Sequence, residues 1–255
     1  MGKLLFRTGL GEAYVGDSLD FLRSLPEESV DLAVTSPPFP LLRQKEYGNP
    51  SAEEYLAQEF FWWNPARLPA PIEWVNVRRL RVKDGVNTVW WLSKTPFPKA
   101  DNRRVLWPYS KQQRLLQLRG VAPAKRPSGH EITERFCQNN GGAIPPNLIA
   151  LAHTESNSAY LRYCRQRGLK PHPARFPVGL PAFFIRFLTD PGDLVLDPFA
   201  GSLTTGEAAE ALGRRWVCVE KEAEYVLGGI GRFLQPPRGG KRPAYQVHGP
   251  APLGE

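Results

Sequence analysis

At 255 residues, with 42% hydrophobic residues and seven Trp, the chain can bury a substantial core as one large domain or as a catalytic domain with an insertion. No apolar run approaches the roughly 18–20 residues that span a bilayer, and no signal peptide is recognisable. The three Cys form neither a disulfide framework nor a Cys-x-x-Cys pair. We therefore expect a cytoplasmic, metal-free protein. The net charge of +8 favours a polyanionic partner such as nucleic acid, although many basic proteins have no such partner.

Strand and helix patterns alternate near the start of the chain. Residues 12–17 predict a short strand, and Ser18 is expected to cap an amphipathic helix that runs to about Leu25. Residues 30–35 are a compact apolar run typical of a buried parallel strand, and a Ser-Pro-Pro sequence follows it directly. This part of the chain is therefore expected to be α/β.

The composition changes from about residue 96 to residue 171. The segment is rich in Pro, Arg, Asn and Gly and shows only scattered apolar periodicity. We predict a mostly irregular insertion here instead of a second α/β core. Basic residues are spread along it: Arg103, Arg104, Lys111, Arg114, Arg119, Lys125 and Arg126.

The α/β pattern returns after the insertion. The predicted elements, in chain order, are a helix over 181–189, a strand over 193–197, a Gly-containing turn over 198–205, a helix over 205–212, a strand over 215–220 and a helix over 222–234. Strands that alternate with helices over short connections predict a right-handed parallel sheet. The Pro- and Gly-rich residues 235–255 predict a flexible tail.

The first candidate motif is Thr35-Ser36-Pro37-Pro38-Phe39, which follows a predicted buried strand. Ligands bind at the carboxyl ends of strands in open α/β sheets. Two prolines stiffen the backbone and leave carbonyls free to accept, so Ser36 Oγ and the Pro37 carbonyl could hold the two N–H bonds of a base amino group. Phe39 offers a ring for stacking. The alternative interpretation is an ordinary Pro-rich turn.

The second candidate motif begins at Asp197 and runs to Gly206, again from a strand through a tight turn into a helix. Such a turn brings backbone amides near a ligand, and Gly201 permits close approach. The motif lacks the dinucleotide pattern Gly-x-Gly-x-x-Gly and a P-loop Lys, which argues against NAD and ATP. Glu220 ends the next predicted strand, where an acidic group can accept from ribose hydroxyls. Its alternative role is that of a solvated or capping carboxylate.

Together, Thr35–Phe39 and Leu196–Ser202 resemble the catalytic and cofactor motifs of the amino-methylating DNA methyltransferases. The catalytic motif comes first, as in the permuted β class. Further stretches that resemble cytosine-N4 members of this class are Tyr14–Leu19, Pro26–Ser29, Lys45–Asn49, Pro71–Asn76, Val86–Trp91, Arg126–His130, Asn140–Gly142, Ile144–Leu148 and His172–Pro177. The resemblance extends to about Leu234. It implies a Rossmann-like methyltransferase sheet and S-adenosyl-L-methionine as cofactor.

The resemblance also implies roles for the matched positions. A flipped cytosine would be held by Ser36, Pro37, Pro38 and Phe39. Residues implied at the cofactor are Asp17 near the adenine, Glu220 at the ribose, Thr35, Asp197, Pro198, Phe199, Ala200 and Gly201 around the turn, and His172, Pro173, Phe176 and Pro177 as a wall near the methionine end. In the target-recognition insertion we expect Arg126, Ser128 and His130 to contact DNA, with a polar loop as the alternative.

The implied domains are a catalytic half over 1–95, the target-recognition insertion over 96–171, a cofactor-binding half over 172–234 and the tail over 235–255. Two departures from the family stand out. Leu203 occupies a position where the family often has a second Gly. Between Tyr55 and Phe60 the family has a further helix, loop and strand that this sequence lacks. Either residues are omitted there, or the protein is an internally deleted relative.

The expected reaction is direct methyl transfer to cytosine N4 in double-stranded DNA, as the protective partner of a restriction–modification system. A cognate endonuclease would act on the same site without a stable complex. No Cys follows Pro, which disfavours a covalent C5-cytosine mechanism. Adenine N6 is the main alternative target. A DNA-binding remnant without activity and a methyltransferase for small molecules or proteins are alternatives of other classes.

Overall fold

The computed structural model describes residues 2–36, 78–79, 87–120, 122, 124–125, 127–129, 131–151 and 158–234. The chain divides into two compact units, one formed by Met1–Pro37 with Lys99–Glu255 and the other by Pro38–Pro98. All helices and strands named below belong to the first unit. The domain boundaries inferred from the sequence stay a prediction.

The helices and strands follow one another along the first unit in an α/β order. They are β1 Lys3–Arg7, β2 Gly11–Val15, α1 Ser18–Ser24, β3 Leu32–Ala33, a 3-10 turn Asn102–Val105, α2 Lys111–Arg119, β4 Ala124–Lys125, β5 Glu131–Ile132, a 3-10 turn Glu134–Cys137, α3 Ala159–Arg167, α4 Gly179–Leu188, β6 Leu194–Asp197, α5 Thr204–Ala211, β7 Arg215–Glu220, α6 Ala223–Gly229 and a 3-10 turn Ile230–Arg232.

Within the described residues the main sheet has the strand order β1-β2-β7-β6-β3. β2, β7, β6 and β3 run parallel, and β1 is antiparallel to β2. Asp197 lies opposite Cys218, and Val15 opposite Glu220. The carboxyl ends of the parallel strands therefore meet at one edge, which confirms the predicted Rossmann-like sheet. The edge strand β1 was not predicted from the sequence.

Helix α4 and the crossover helix α5 cover the central strands. α4 turns Ala182, Ile185 and Leu188 into the core, as its predicted apolar face requires. Trp216 on β7 is 1% exposed, and burial of such a side chain stabilises the fold by roughly 1.5–3 kcal/mol. A Cβ on Gly11 of β2 would collide with the Trp216 ring, so glycine is required beside it.

The start of α1 differs from the prediction. Asp17, not Ser18, is the N-cap residue, and its Oδ1 accepts from the N–H groups of Leu19 at 2.9 Å and Asp20 at 3.1 Å. The hydroxyl of Ser18 donates instead to the carbonyl of Pro198. Both residue types cap helices well, and the contact with the distant turn decides which of them does so.

The described part of the predicted insertion is mostly irregular, as expected, but it contains two helices. No residue of α2 is buried, whereas α3 buries Tyr160 and Cys164 against the C-terminal 3-10 turn. α3 therefore packs on the α/β core. None of the described helices is long and apolar enough to cross a membrane. Among the described residues, His, Cys, Asp and Glu form no group of three that could hold a metal ion.

Candidate active site

A fully buried carboxylate ends β6. Asp197 is 0% exposed, and its Oδ2 accepts from the Thr205 hydroxyl at 2.6 Å. Its Oδ1 accepts from the Thr35 hydroxyl at 2.8 Å and from the Phe199 N–H at 3.1 Å. Burial raises the pKa of Asp197 to about 6, and these hydrogen bonds limit the rise because they favour the charged form. The carboxylate thus ties together β3, the turn after β6 and α5.

The Thr35–Asp197 bond joins the ends of two neighbouring strands. The Val34 N–H donates to the Leu196 carbonyl at 3.0 Å, and Thr35 follows directly. Ser36 comes next and is exposed. The segment that carries Ser36 and the turn that follows Asp197 therefore leave the sheet at the same edge. The predicted partners of Ser36 in base binding (Pro37, Pro38 and Phe39) lie outside the described residues.

The turn after β6 is tight and buried. Its Ala200 N–H donates to the Val219 carbonyl on β7 at 2.9 Å. Gly201 has φ +51° and Leu203 has φ +60°, so both adopt the left-handed conformation. This conformation costs a residue with a side chain roughly 1–2 kcal/mol, and the fully buried Leu203 is nevertheless held in it. Leu203, at a position where the family often has a glycine, thus adopts the left-handed conformation that glycine favours.

Glu220 ends β7 beside this turn. Its Oε2 accepts from the Gly201 N–H at 2.8 Å, and its Oε1 accepts from the Glu222 N–H at 3.0 Å. Burial raises the pKa of Glu220, while these amide hydrogen bonds oppose that rise. Its backbone carbonyl accepts from the Gly16 N–H at 3.0 Å, which links β7 to the end of β2. A half-buried acceptor therefore lies next to the Gly201 turn.

The His172 segment approaches the turn from the other side. A Cβ built on Gly201 would lie 3.2 Å from His172 Nε2. The His172 N–H donates to the Tyr160 hydroxyl at 2.7 Å, and its ring meets Tyr225 edge-on, with 4.6 Å between ring centroids. The other residues predicted for this wall lie just before α4: Pro173 is exposed, and Phe176 and Pro177 are half-buried.

Asp17 and Ser18 form a corner between β2 and the turn. The Asp17 carboxylate caps α1, and Ser18 reaches the Pro198 carbonyl. Sequence reasoning did not identify Ser18, Thr205 or Tyr160 as part of this edge. Thr205 could have been found, because it lies eight residues after Asp197 at the start of a predicted helix. The contacts of Ser18 and Tyr160 have no local sequence signal.

Comparison with known proteins adds to this geometry. A sequence model of the DNA methylase family matches residues 55–229. Type II methyltransferase M.PvuII of Proteus hauseri is 43% identical over 91% of this chain and 86% of its own length. The chain belongs to the DNA methylase family. DNA methyltransferases take their methyl group from S-adenosylmethionine. S-adenosylmethionine is therefore the methyl donor of this methyltransferase and DNA is its substrate, as expected from the sequence.

Two further similarities differ in extent. The solved structure of PvuII DNA methyltransferase (cytosine-N4-specific) matches this methyltransferase with a TM-score of 0.64 and 38% identity, and covers 89% of this chain and 88% of its own. DNA adenine methyltransferase YhdJ of Escherichia coli (strain K12) is 46% identical over 62 residues, which is 24% of this chain and 21% of its own length.

The edge described above fits an S-adenosylmethionine donor. Glu220 places an acidic acceptor at the end of the strand next to β6, and its bond to the ribose hydroxyls stays a prediction. Any side chain at Gly201 would fill the space between the turn and the His172 ring. A carboxylate at this edge suits an adenosyl group better than the phosphates of a dinucleotide, because phosphates carry negative charge and Glu220 would repel them.

The residues predicted to contact DNA fall at a small hairpin. Ser128 is exposed between β4 and β5, and Arg126 and His130 lie outside the described residues. Their roles in this methyltransferase stay a prediction.

The alignment with M.PvuII also bears on the apparent deletion. It runs over 289 positions but uses 91% of this 255-residue chain, which leaves about 57 positions of the relative without a counterpart. The predicted site of the difference, between Tyr55 and Phe60, lies outside the described residues. In the described residues β3 is the edge strand of the sheet.

Proposed function

We propose that this protein transfers a methyl group from S-adenosyl-L-methionine to cytosine N4 at specific sites in double-stranded DNA. The observation that carries the proposal is the 2.8 Å hydrogen bond from Thr35 to Asp197, because it keeps the start of the Ser36 segment beside the cofactor turn. The similarity to a Type II methyltransferase and to a cytosine-N4-specific enzyme supports this choice of target.

When bound, S-adenosylmethionine supplies an electrophilic methyl group on its sulfonium. Glu220 would accept from the ribose hydroxyls, and Asp17 would lie toward the adenine. The turn and its neighbours would enclose the donor: Thr35, Asp197, Pro198, Phe199, Ala200 and Gly201. The His172 segment, with Pro173, Phe176 and Pro177, would form the wall near the methionine end. These residues would bind and orient the donor, and the buried turn at Asp197, Pro198, Ala200 and Gly201 would shield one side of it from water.

The target base would leave the duplex before it reacts, because its amino group is inaccessible inside the stack. Ser36 Oγ and the Pro37 carbonyl would accept the two amino hydrogens, which aims the nitrogen lone pair at the donor. Pro38 would stiffen this grip, and Phe39 would stack on the base. Catalysis would therefore rest on orientation of the two reactants.

Substitution of Ser36 tests this arrangement. Ser36→Ala removes one acceptor, so we expect turnover to fall about 100-fold while the affinity for S-adenosylmethionine stays near that of the wild type. Ser29→Ala is the control, because within the described residues the Ser29 hydroxyl donates to the nearby Pro26 carbonyl, away from the proposed site. Turnover of Ser36→Ala equal to that of the control would remove Ser36 from the mechanism.

Adenine N6 is a second candidate target, which the local similarity to DNA adenine methyltransferase YhdJ favours. Methylated DNA digested to nucleosides and analysed by mass distinguishes the two products. N4-methylcytosine as the product supports the proposal, and N6-methyladenine contradicts it.

The biological role would be protection of the cell's own DNA. M.PvuII is a Type II methyltransferase, and a cognate endonuclease of the same site would act independently of this chain. Arg126, Ser128 and His130 would contribute to recognition of that site, and the cytoplasm is the expected location. Plasmid DNA from cells that express the protein should resist one specific endonuclease and remain sensitive to others.

The apparent deletion offers a direct alternative, a DNA-binding remnant without activity. Calorimetry of the purified chain with S-adenosylmethionine separates the two. Binding that depends on Glu220 supports an active enzyme, whereas binding of DNA without binding of the cofactor supports the remnant.

A further inference from the structure

Two buried side chains outside the proposed site hold the two neighbours of Gly201: Arg232 bonds to Ser202, and Tyr160 bonds to His172. Arg232, in the C-terminal 3-10 turn, is 8% exposed. Its Nε donates to the Ser202 carbonyl at 2.7 Å, and one terminal nitrogen donates to Ser202 Oγ at 3.0 Å. The other terminal nitrogen lies 2.6 Å from a Glu207 carboxylate oxygen. The planar guanidinium thus fixes both the backbone and the side chain of the residue that follows Gly201.

Tyr160 of α3 holds the His172 segment, which is the predicted wall of the cofactor site. Its side chain is 0% exposed, and its hydroxyl accepts from the His172 N–H at 2.7 Å. Burial raises the pKa of Tyr160, so the hydroxyl stays protonated while it accepts this bond. Tyr160 is therefore bonded to the residue whose ring faces Gly201.

The two holders contact each other. The Arg232 guanidinium carbon lies 4.7 Å from the centre of the Tyr160 ring, within the range of a cation–π interaction. Two glycines of α6 allow this packing. A Cβ on Gly228 would lie 2.8 Å from Cys164 Sγ, and a Cβ on Gly229 would lie 2.5 Å from Leu203 Cγ. α6 therefore packs closely against both α3 and the turn after β6, and the buried Arg232 guanidinium contacts a residue of each.

We propose that Arg232 and Tyr160 are positioning residues that fix the Gly201 turn and the His172 ring against each other, and so set the shape of the surface they offer to the cofactor. The inference rests on the proposed function, since Gly201 and His172 are both predicted to contact the cofactor. It assigns a role in binding the methyl donor to the 3-10 turn Ile230–Arg232 and to a helix within the predicted recognition insertion.

The first test replaces the guanidinium and keeps its charge. In Arg232→Lys the lysine ammonium cannot bond to both the Ser202 carbonyl and Ser202 Oγ in the way the guanidinium does. We therefore expect the Kd for S-adenosylmethionine, measured by calorimetry, to rise about tenfold. Arg214→Lys is the matched control. Arg214 is 7% exposed and donates to Thr189 Oγ1 and carbonyl at 3.1 and 2.7 Å, near the opposite end of β7. The control should lose comparable thermal stability without a change in Kd.

The second test uses the cofactor-free protein. Hydrogen exchange of the peptide that spans the turn should be faster in Arg232→Lys than in Arg214→Lys, because only the former releases Ser202. Tyr160→Phe removes the acceptor of the His172 N–H and keeps the ring. We expect it to raise the Kd and the KM for S-adenosylmethionine while the KM for DNA stays unchanged.

The outcomes separate the inference from the proposed function. If the wild type methylates DNA and Arg232→Lys binds the cofactor as tightly as Arg214→Lys, the positioning role is wrong and the function stands. Equal increases in Kd for both arginine variants would also overturn it, since they would reflect general destabilisation. A wild type that binds no S-adenosylmethionine would contradict the proposed function itself, and the inference with it.

Discussion

The turn after β6 and the segment that ends β3 leave the sheet at the same edge, yet they are held very differently. The turn is buried, and it is bonded to β7 through Ala200, to Glu220 through Gly201 and to Arg232 through Ser202. β3 is two residues long, and the exposed Ser36 follows it. In the proposed function the fixed turn would hold a small donor in one pose, and the exposed segment would receive a base that enters from DNA.

The largest expected effect concerns the buried turn: Asp197, at its start, should make the stability of the protein depend on pH. The raised pKa of Asp197 means that the folded state binds a proton more tightly than the unfolded state. Its contribution to stability is therefore complete below about pH 4 and is lost as the pH rises through about 6, in total about 3 kcal/mol. Asp197→Asn lacks this dependence, so its unfolding free energy should gain on the wild type as the pH rises.

Asp31→Asn provides a control of opposite sign. Burial opposes ionisation of Asp31, but hydrogen bonds from the Leu194 N–H and from Lys99 outweigh it and lower its pKa. The stability that Asp31 contributes is present at neutral pH and lost as the pH falls. Denaturant unfolding at several pH values measures both slopes. If the unfolding free energies of the wild type and Asp197→Asn changed with pH in parallel, the pKa of Asp197 would not be raised in the folded protein.

Gly201→Ala should have the next largest effect. A Cβ at φ +51° strains the backbone and meets the His172 ring at 3.2 Å, so we expect a loss of about 2 kcal/mol in the binding of S-adenosylmethionine. Gly213→Ala is the control, because Gly213 has φ +70° and no atom within 4 Å of a new Cβ. If both variants bind the cofactor equally, the narrow gap beside Gly201 has no role in binding.

Thr35→Val should have a smaller effect, because it removes the bond that joins the two segments and keeps the shape of the side chain. We expect about 1–2 kcal/mol of lost stability, since Asp197 would lose a hydrogen-bond donor in a buried site. Turnover should fall more than cofactor affinity. Thr35→Ser restores the hydroxyl and should restore both quantities, and a Ser variant as impaired as the Val variant would rule out the bond as the cause.

Asp17→Ala should have the smallest effect on stability, about 1 kcal/mol, because it removes the cap of α1. Asp17→Asn keeps an acceptor at the same place and should unfold near the wild-type temperature. A drop in cofactor affinity for the Asn variant at unchanged melting temperature would assign the carboxylate a direct part in binding.

Much of the fold follows from local patterns. The strands that end at Asp197 and Glu220 are short apolar runs, and the turn between strand and helix carries its own Gly. Arg232 and Tyr160 could not be found in this way. Their partners lie 30 residues away for Ser202 and 12 residues away for His172, and neither pair belongs to a periodic pattern. The cap of α1 was assigned to the wrong residue for the same reason, because a contact 180 residues away engages Ser18.

The strand order has a consequence for how the protein folds during its synthesis on the ribosome. β2 and β3 are made early, but in the sheet they flank β7 and β6, which are made more than 150 residues later. The first strands must wait for their neighbours, since a sheet cannot close around partners that have not yet been synthesised. A nascent chain in which β6 and β7 have not yet been made therefore cannot complete the sheet that carries Asp197 and Glu220.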